Sequence, residues 1–492
     1  MTIAKFLVRY LLSFALLIGV AAHVIVAQEP SATPPPPSAP RSVRLPKPVE
    51  RTLANGLRVI VVDRPGTPLV AAQLLVRNGA EVDPPELPGL ANMTAGLLTK
   101  GTTKRSATDI AEEVESLGAS LESLARWDAS RINLNAMSSR IAPALEILSD
   151  VVKRPAFSDE EIERLKQLTL DDLTVELGDP GTIGAYVASR VVFGDTPYGH
   201  PLNGTPQSIP RITRNDLLKY HSQFYRPDNA VLIFGGDIRA VQAFRLAQQL
   251  FGDWKKPATP LPPVPVPKLA DTQPQVLVID KPDAGQAAVL VARTGIERNN
   301  PDYFRGLVTN SVLTGYSGRL NQEIRIKRGL SYGARSALDM RRFTGPFSAT
   351  AQTKNQSAAE VASLLMAEVK RLGTAPVPDI ELEPRKAVVI GNFGRSLETA
   401  AGLVQQIGSL ALYGISLDEI NRYISNVQGI TAADVQRFSS NRLDAQGVST
   451  VIVGNAKEFL PELTKMYPNV KVIPVAELDL NSALLKKKQQ TE

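Results

Sequence analysis

The sequence contains no cysteine and only three histidines, and these shortages exclude several kinds of site. Without thiols the chain can form no disulfide, no cysteine-type zinc site and no cysteine nucleophile. His23, His200 and His221 offer little from which to build a Ser/His/Asp arrangement, and the sequence has no Gly-x-Ser-x-Gly elbow. The sequence therefore excludes a cysteine nucleophile and gives little support for a serine nucleophile.

The sequence also does not indicate binding of nucleic acid or of a phosphate group in a glycine-rich loop. The net charge of +6 is mixed in sign along the chain, and no basic stripe is interleaved with aromatic residues, which make up only 5%. Nucleic-acid binding is therefore not indicated. The glycines at positions 315 and 318 do not form a phosphate loop, because no Lys-Ser/Thr ending follows them.

The first part of the chain has the composition of an export signal. Lys5 and Arg9 precede an apolar run over residues 10–22, and Ala27 then offers a small residue for cleavage. We expect a signal peptide over residues 1–27 and a Pro-rich, disordered spacer over residues 28–48. The protein is then secreted or periplasmic in a bacterium, with membrane attachment only through an uncleaved signal segment.

From residue 49 onward, one unit is written twice. Residues 58–65 are answered by 275–282, and residues 71–81 by 287–297. Later in each half, an Ile-Thr-x-x-Asp sequence starts a helix with Thr213 or Thr431 as its N-cap. Closing strands follow each of these helices. Matches in the same order indicate a duplication.

The duplication predicts an α+β fold with two homologous domains, each a mostly antiparallel sheet covered by helices. We place the N-terminal domain at residues 49–254 and the C-terminal domain at 275–460. A Pro-rich linker over 255–274 joins them. Residues 461–492 are expected to form a C-terminal tail, because the pattern weakens after residue 460, and the three lysines at 486–488 are expected to be solvated.

One stretch between a strand and a turn carries a degenerate motif. Residues 88–102 read Pro-Gly-Leu-Ala-Asn-Met-Thr-Ala-Gly-Leu-Leu-Thr-Lys-Gly-Thr and predict a buried helix. They resemble the metal-binding helix of the pitrilysin/insulinase zinc peptidases (the M16 family), where His-x-x-Glu-His lies between Gly-Leu-Ala and Lys-Gly-Thr. Asn92, Ala95 and Gly96 stand in place of the first His, the catalytic Glu and the second His. These residues offer neither good zinc ligands nor a general base.

A second stretch, residues 317–332, keeps the pattern of the same family. It resembles the segment whose Arg and Tyr reach the peptide substrate of the catalytic half, and Arg325 and Tyr332 occupy those positions. A guanidinium offers a forked donor to a carbonyl or carboxylate, and a phenol adds a donor near a developing oxyanion. The resemblance therefore implies that Arg325 and Tyr332 bind substrate.

The remaining candidate ligands are expected to be structural. The loop at residues 198–206 resembles another landmark of the family, and His200 in this loop is expected to make structural hydrogen bonds. His221 is expected to pack among aromatic residues. In catalytic members a downstream Glu is the third zinc ligand. Here Asp171, Asp172 and Glu176 lie in the matching region, and we expect them to form a solvated helix face.

The resemblance implies two LuxS/MPP-like domains of the mitochondrial-processing-peptidase type that form half of a clam shell. It further implies a non-catalytic subunit, without a metal of its own, that pairs with a zinc-bearing sister and completes a peptide chamber. The alternative is a catalytically inert peptide-binding or scaffold protein with the same shell. A third possibility is an active hydrolase with unconventional ligands.

Overall fold

The computed structural model describes residues 45–267 and 273–487, so the expected signal peptide and residues 28–44 of the expected spacer lie outside the described residues. Residues 255–267 of the linker carry no regular structure. Within the described ranges, none of the helices combines the length and the apolar character needed to cross a bilayer.

The first half of the chain forms one six-stranded sheet with helices. Its strands are β1 (Val49–Thr52), β2 (Arg58–Asp63), β3 (Leu69–Val76), β4 (Ser120–Ala125), β5 (Ser130–Met137) and β6 (Ala230–Gly236). Its helices are α1 (Leu90–Leu97), α2 (Ala107–Ser116), α3 (Ile141–Lys153), α4 (Asp159–Glu176), α5 (Pro180–Phe193), α6 (Arg214–Phe224) and α7 (Ala240–Phe251).

The second half repeats this plan. Its strands are β7 (Val276–Asp280), β8 (Ala287–Thr294), β9 (Ala334–Leu338), β10 (Pro346–Thr353), β11 (Ser449–Gly454) and β12 (Val470–Pro474). Its helices are α8 (Tyr303–Leu313), α9 (Arg319–Asn321), α10 (Ala358–Thr374), α11 (Asp379–Ser396), α12 (Ala400–Leu412), α13 (Glu419–Gln428), α14 (Ala432–Arg442) and α15 (Leu460–Met466).

The two sheets have matching strand orders, β1-β2-β6-β3-β5-β4 and β12-β7-β11-β8-β10-β9. The first sheet is antiparallel except between β2 and β6, and the second is parallel only between β7 and its two neighbours. Thr213 and Thr431 each form a capping box with the Asp three residues on. The α+β class and the repeated two-domain plan are therefore confirmed.

The chain after residue 460 differs from the expectation of a C-terminal tail outside the second domain. Helix α15 buries Leu463, and β12 buries Ile473. Strand β12 pairs in parallel with β7, at the edge where the first sheet has β1 antiparallel to β2. The expectation is wrong for these elements, because the free edge of β7 is completed by a strand from the C-terminal end of the chain.

The two halves exchange helices. In each sheet we call the face that packs against the helices of its own half the outer face, and the opposite one the inner face. Helix α5 of the first half packs on the inner face of the second sheet, where Ile183 and Val187 meet residues such as Leu290. Helix α12 of the second half packs on the inner face of the first sheet, and Ile407 belongs to the same cluster as Ile233. Each sheet therefore buries apolar side chains under a helix that the other half supplies, which joins the halves through the hydrophobic effect.

A polar cluster also links the halves. The Asp128 carboxylate accepts hydrogen bonds from the Tyr198 hydroxyl at 2.5 Å, the Tyr413 hydroxyl at 2.9 Å and the Arg342 backbone N–H at 2.7 Å. Glu81 lies beside this cluster, and its burial, together with the Asp128 charge, raises the pKa of Glu81 to about 8. Tyr413 and Arg342 come from the second half, so one buried carboxylate ties both halves together.

The helix exchange predicts an unequal response to two glycine substitutions. A Cβ on Gly184 of α5 would lie 2.4 Å from Leu290 Cδ1, whereas a Cβ on Gly394 of α11 would meet no heavy atom within 4 Å. We expect Gly184→Leu to lower the free energy of unfolding by about 1–3 kcal/mol through overpacking. Gly394→Leu should raise it slightly, because glycine is a poor helix residue. Urea denaturation measures both, and equal losses would contradict the packing described.

Candidate functional site

The start of helix α1, which carries the degenerate motif, is fixed by hydrogen bonds to its backbone N–H groups and by a close backbone contact. The Asp83 carboxylate accepts hydrogen bonds from the N–H groups of Gly89 and Ala91, each at 2.9 Å. Gly89 has a φ of +96°, and a Cβ there would lie 2.9 Å from the Cα of Gly204. The start of α1 therefore lies directly against the loop at residues 198–206.

Asn92, at the position of the first missing His, belongs to a chain of hydrogen bonds. Its Nδ2 donates to Asn203 Oδ1 at 3.1 Å, and Asn203 Nδ2 donates to Glu176 Oε1 at 3.3 Å. The Tyr186 hydroxyl donates to Glu176 Oε2 at 2.5 Å. Hydrogen bonds thus connect side chains of α1, α4 and α5 with the loop at residues 198–206.

The residues present do not fit a zinc ion. Ala95 is fully buried and has no donor atom. A Cβ on Gly96 would lie 3.3 Å from Leu165 Cδ2, so a larger residue would require Leu165 to shift. Across the described ranges 45–267 and 273–487, no three His, Asp or Glu side chains are grouped as metal ligands. No metal-dependent step can be assigned to these residues.

The sequence predicts that all three acids of α4 lie on a solvated face, and the structure shows this for only two of them. Asp171 and Asp172 are exposed, but Glu176 is half-buried. The turn into α5 brings Tyr186 back to Glu176, which explains the difference. Sequence reasoning also missed Asn203, although the loop that contains it had been singled out. Its contact with Asn92 spans 111 residues, and no local spacing reports such a pairing.

The two described histidines make structural contacts. His221 Nε2 donates to the Val152 carbonyl at 2.8 Å, and its ring stacks on Tyr225. His200 Nδ1 accepts from Arg190 Nη2 at 3.3 Å. Burial lowers the pKa of each imidazole to about 4, with the Arg190 charge adding to the effect at His200. Both rings are therefore neutral at pH 7.

Arg325 lies in a well-anchored segment before β9. Helix α9 continues as a π-helical turn, Gln322–Ile326. Arg319 makes a two-pronged ion pair with Glu381, with distances of 2.7 and 2.9 Å, at the start of this segment. The Arg325 guanidinium carbon lies 5.4 Å from the centre of the Tyr316 ring. This segment holds its backbone by local contacts and leaves Arg325 partly exposed.

The charge of Arg325 is not neutralised by a neighbour. Glu323 is engaged by Lys327 and Arg328, and no described carboxylate lies within 4.0 Å of Arg325. Tyr332 has 89% of its surface exposed and Tyr316 has 71%. In the part of the chain that the structure describes, no hydrogen bond joins this segment to α1. A cation and two phenols are therefore presented to solvent.

Comparison with known families identifies the fold. The model of "Insulinase (Peptidase family M16)" matches residues 58–176, and the model of "Peptidase M16 inactive domain" matches residues 211–389. Together they account for more than half of the chain. The chain belongs to the M16 peptidase family. The first match contains α1 and α4, and the second contains Arg325 and Tyr332.

Individual relatives agree with this assignment. The chain is 26% identical over 412 residues to an "Uncharacterized zinc protease" of Rickettsia bellii, covering 82% of this chain and 96% of the relative. It is 24% identical over 403 residues to "Uncharacterized zinc protease YmxG" of Bacillus subtilis, covering 79% and 95%. Both matches cover nearly the whole length of the relative.

Solved structures share the two-domain architecture. The crystal structure of a peptidase M16 inactive domain from Pseudomonas fluorescens superposes with a TM-score of 0.76 at 26% identity, covering 83% of this chain and 98% of that chain. A protease from Helicobacter pylori gives a TM-score of 0.75 at 20% identity, covering 83% and 100%. The second likeness concerns the fold alone.

The hydrogen-bond chain predicts that Glu176 stabilises the fold. Glu176→Ala leaves the Tyr186 hydroxyl and the Asn203 amide without their acceptor, which should lower the free energy of unfolding by about 1–3 kcal/mol. Asp172→Ala, one turn earlier on the exposed face of α4, should change it by less than about 0.5 kcal/mol. Chemical denaturation compares the two, and similar small effects would show that Glu176 has no structural role.

The buried imidazole of His221 predicts a pH-dependent contribution to stability. Its pKa is lowered from 6.5 to about 4, so the unfolded chain binds a proton in this window and the folded chain does not. Stability from neutral His221 is complete above pH 6.5 and is lost as the pH falls toward 4. At about 1.4 kcal/mol per pKa unit, the wild type should lose up to about 3 kcal/mol relative to His221→Phe. Denaturation at pH 7 and pH 4 measures this change, and a constant difference would contradict it.

Proposed function

We propose that this chain is the non-catalytic subunit of a two-subunit M16 peptidase. It pairs with a sister chain that carries His-x-x-Glu-His and zinc, and it supplies Arg325 and Tyr332 to their common peptide chamber. The observation that carries the proposal is a contrast within one molecule. The family's Arg and Tyr are presented to solvent, while the family's metal helix has no ligand side chains.

The surface around Arg325 supports binding rather than a purely structural role. Tyr316, Ile326 and Tyr332 are large side chains that are 71%, 48% and 89% exposed within one short segment. Exposed aromatic and apolar groups gathered in this way mark interaction surfaces. The Arg325 guanidinium can donate two hydrogen bonds to a peptide carbonyl or carboxylate without first breaking an ion pair with a described residue.

The position of the segment in the sheet also supports the proposal. Ala334 begins β9 two residues after Tyr332, and β9 is an edge strand of the second sheet. An edge strand leaves backbone N–H and C=O groups to which an extended peptide can add. Arg325 and Tyr332 thus lie close in sequence to a strand suited to hold an extended chain.

The expected location follows from the start of the sequence. The basic and then apolar run before Ala27 favours export. We therefore propose that the two subunits meet in the periplasm or outside the cell, with the zinc held by the sister chain.

Reconstitution with a sister chain tests this function. An M16 chain of the same genome that carries His-x-x-Glu-His is purified and mixed with this chain, and hydrolysis of quenched fluorescent peptides is measured. The mixture should be much more active than the sister alone. Arg325→Ala should lower kcat/KM by roughly 10- to 100-fold, because one charged hydrogen bond contributes about 1.5–3 kcal/mol. The amount of complex should not change.

Arg328→Ala is the matched control for this experiment. Arg328 lies three residues further on and pairs with Glu323, so it is already neutralised in the free chain. Its substitution should leave activity within about twofold, as for an exposed ion pair. If the mixture is no more active than the sister alone, the proposal fails. A complex without any gain in activity would favour the inert scaffold.

A further inference from the structure

The inner face of the first sheet is apolar on strands β2 and β6 and polar on strand β5. On β5, Ile132, Leu134 and Ala136 are buried in the core below the helix layer. The alternate residues Arg131 and Asn133 point to the opposite face, because side chains alternate along a strand. Strands β2 and β6 are apolar on that face and lie under α12, whereas the face of β5 carries polar groups.

A groove runs between these polar groups and the flank of α12. It has a cavity volume of about 290 Å³. Its floor lies on β3, β4 and β5 of the first half, and its wall is the N-terminal part of α12 from the second half. Most of its polar side chains can donate hydrogen bonds; they are Gln73, Arg126, Arg131, Asn133, Asn135 and Gln405.

The groove contains two arginines, Arg126 and Arg131, that form no ion pair with a described carboxylate. Among the described residues, no carboxylate lies within 4.0 Å of Arg126 or Arg131. The Nε atom of Arg131 is buried and has no hydrogen-bond partner in the described ranges. Burial lowers the pKa of Arg131, because removal from water disfavours the charged guanidinium, and the charge of Arg126 adds to this effect while that of Asp128 opposes it. Such a group is costly unless a partner completes it.

The side chains of Gln73 and Glu122 also determine which polar groups the groove offers to a ligand. Gln73 is only 3% exposed, and its Nε2 donates to Asn133 Oδ1 at 2.8 Å, while its Oε1 has no described partner. Glu122 is the one acid that lines the groove within the described residues. It lies opposite Asn133 in the β4–β5 pairing and is exposed. The groove therefore keeps an excess of positive charge together with amide groups.

We infer that this groove is a carboxylate-binding subsite for a peptide, built on Arg126 and Arg131. The inference rests on the proposed function, in which a peptide reaches the interior of the assembled enzyme. A carboxylate would accept from the two guanidinium groups and from neighbouring amides. The ligand is either an acidic side chain or a free C-terminus, because both present the same group.

The surroundings favour a peptide over a small inorganic anion. Strand β4 is an edge strand of the first sheet, and Glu122 and Leu124 on it line the groove. An extended peptide that pairs with β4 places alternate side chains over this face. A volume of about 290 Å³ suits one side chain or one terminal residue of such a peptide.

Peptide binding to this chain alone tests the inference. Three peptides of equal length carry the same neutral fluorophore. The first has a central Glu and an amidated C-terminus, the second has Gln and a free C-terminus, and the third has Gln and an amidated C-terminus. Anisotropy titrations should show at least one of the first two binding about 5- to 50-fold more tightly than the third, as expected for a charge-assisted pair. The tighter of the two identifies the source of the carboxylate.

Substitutions assign the effect to the groove. The double variant Arg126→Gln and Arg131→Gln should abolish the preference, and it should fold, because neither residue has an ion pair with a described carboxylate. Arg245→Gln, on the exposed face of α7, is the matched control and should keep the preference. Equal affinity for all three peptides, a preference that survives the double variant, or no binding at millimolar peptide would each overturn the inference.

This test is independent of the sister chain. If the preference is found and reconstitution gives no activity, the proposed function fails while the subsite stands. If reconstitution succeeds and the preference is absent, only the subsite fails.

Discussion

The exchange of helices between the two halves is the constraint on which the rest of the structure depends. Each sheet covers its outer face with helices of its own half and part of its inner face with one helix of the other half, α5 or α12. Separating the halves would expose both inner faces to water, at a cost of about 25 cal/mol per Å² of apolar surface. The same exchange places Tyr198 and Tyr413 on one carboxylate, Asp128. It also places α12 beside the polar strands and so forms the wall of the groove with Arg131.

Helix α1 shows how packing can be kept where the residues for chemistry are absent. Asp83 caps its start, and the backbone of Gly89 lies against Gly204. Asn92 takes part in hydrogen bonds that end on Glu176. The polar side chains at this place therefore find hydrogen-bond partners among themselves. Helix α1 therefore keeps its place in an M16-family fold with Asn92, Ala95 and Gly96 at the motif positions.

Much of the fold could be predicted from the sequence because its signals are local. The capping boxes at Thr213 and Thr431 and the alternation of strands are visible within a few residues. The strand Val470–Pro474 was not predicted, since it depends on a free edge of β7 almost two hundred residues earlier. The helix exchange was not predicted either, because an amphipathic pattern shows that a helix buries one face but not which sheet it covers. For the same reason the link from Asn92 to Glu176 required the structure.

The central proposal is that this M16-family chain binds no metal of its own and works beside a chain that does. The most direct measurement is the zinc content of the chain purified alone and of its complex with the sister chain, by elemental mass spectrometry. The account predicts no stoichiometric zinc in the chain alone and one zinc per heterodimer. Stoichiometric zinc in the chain alone, lost on Asn92→Ala, would contradict it.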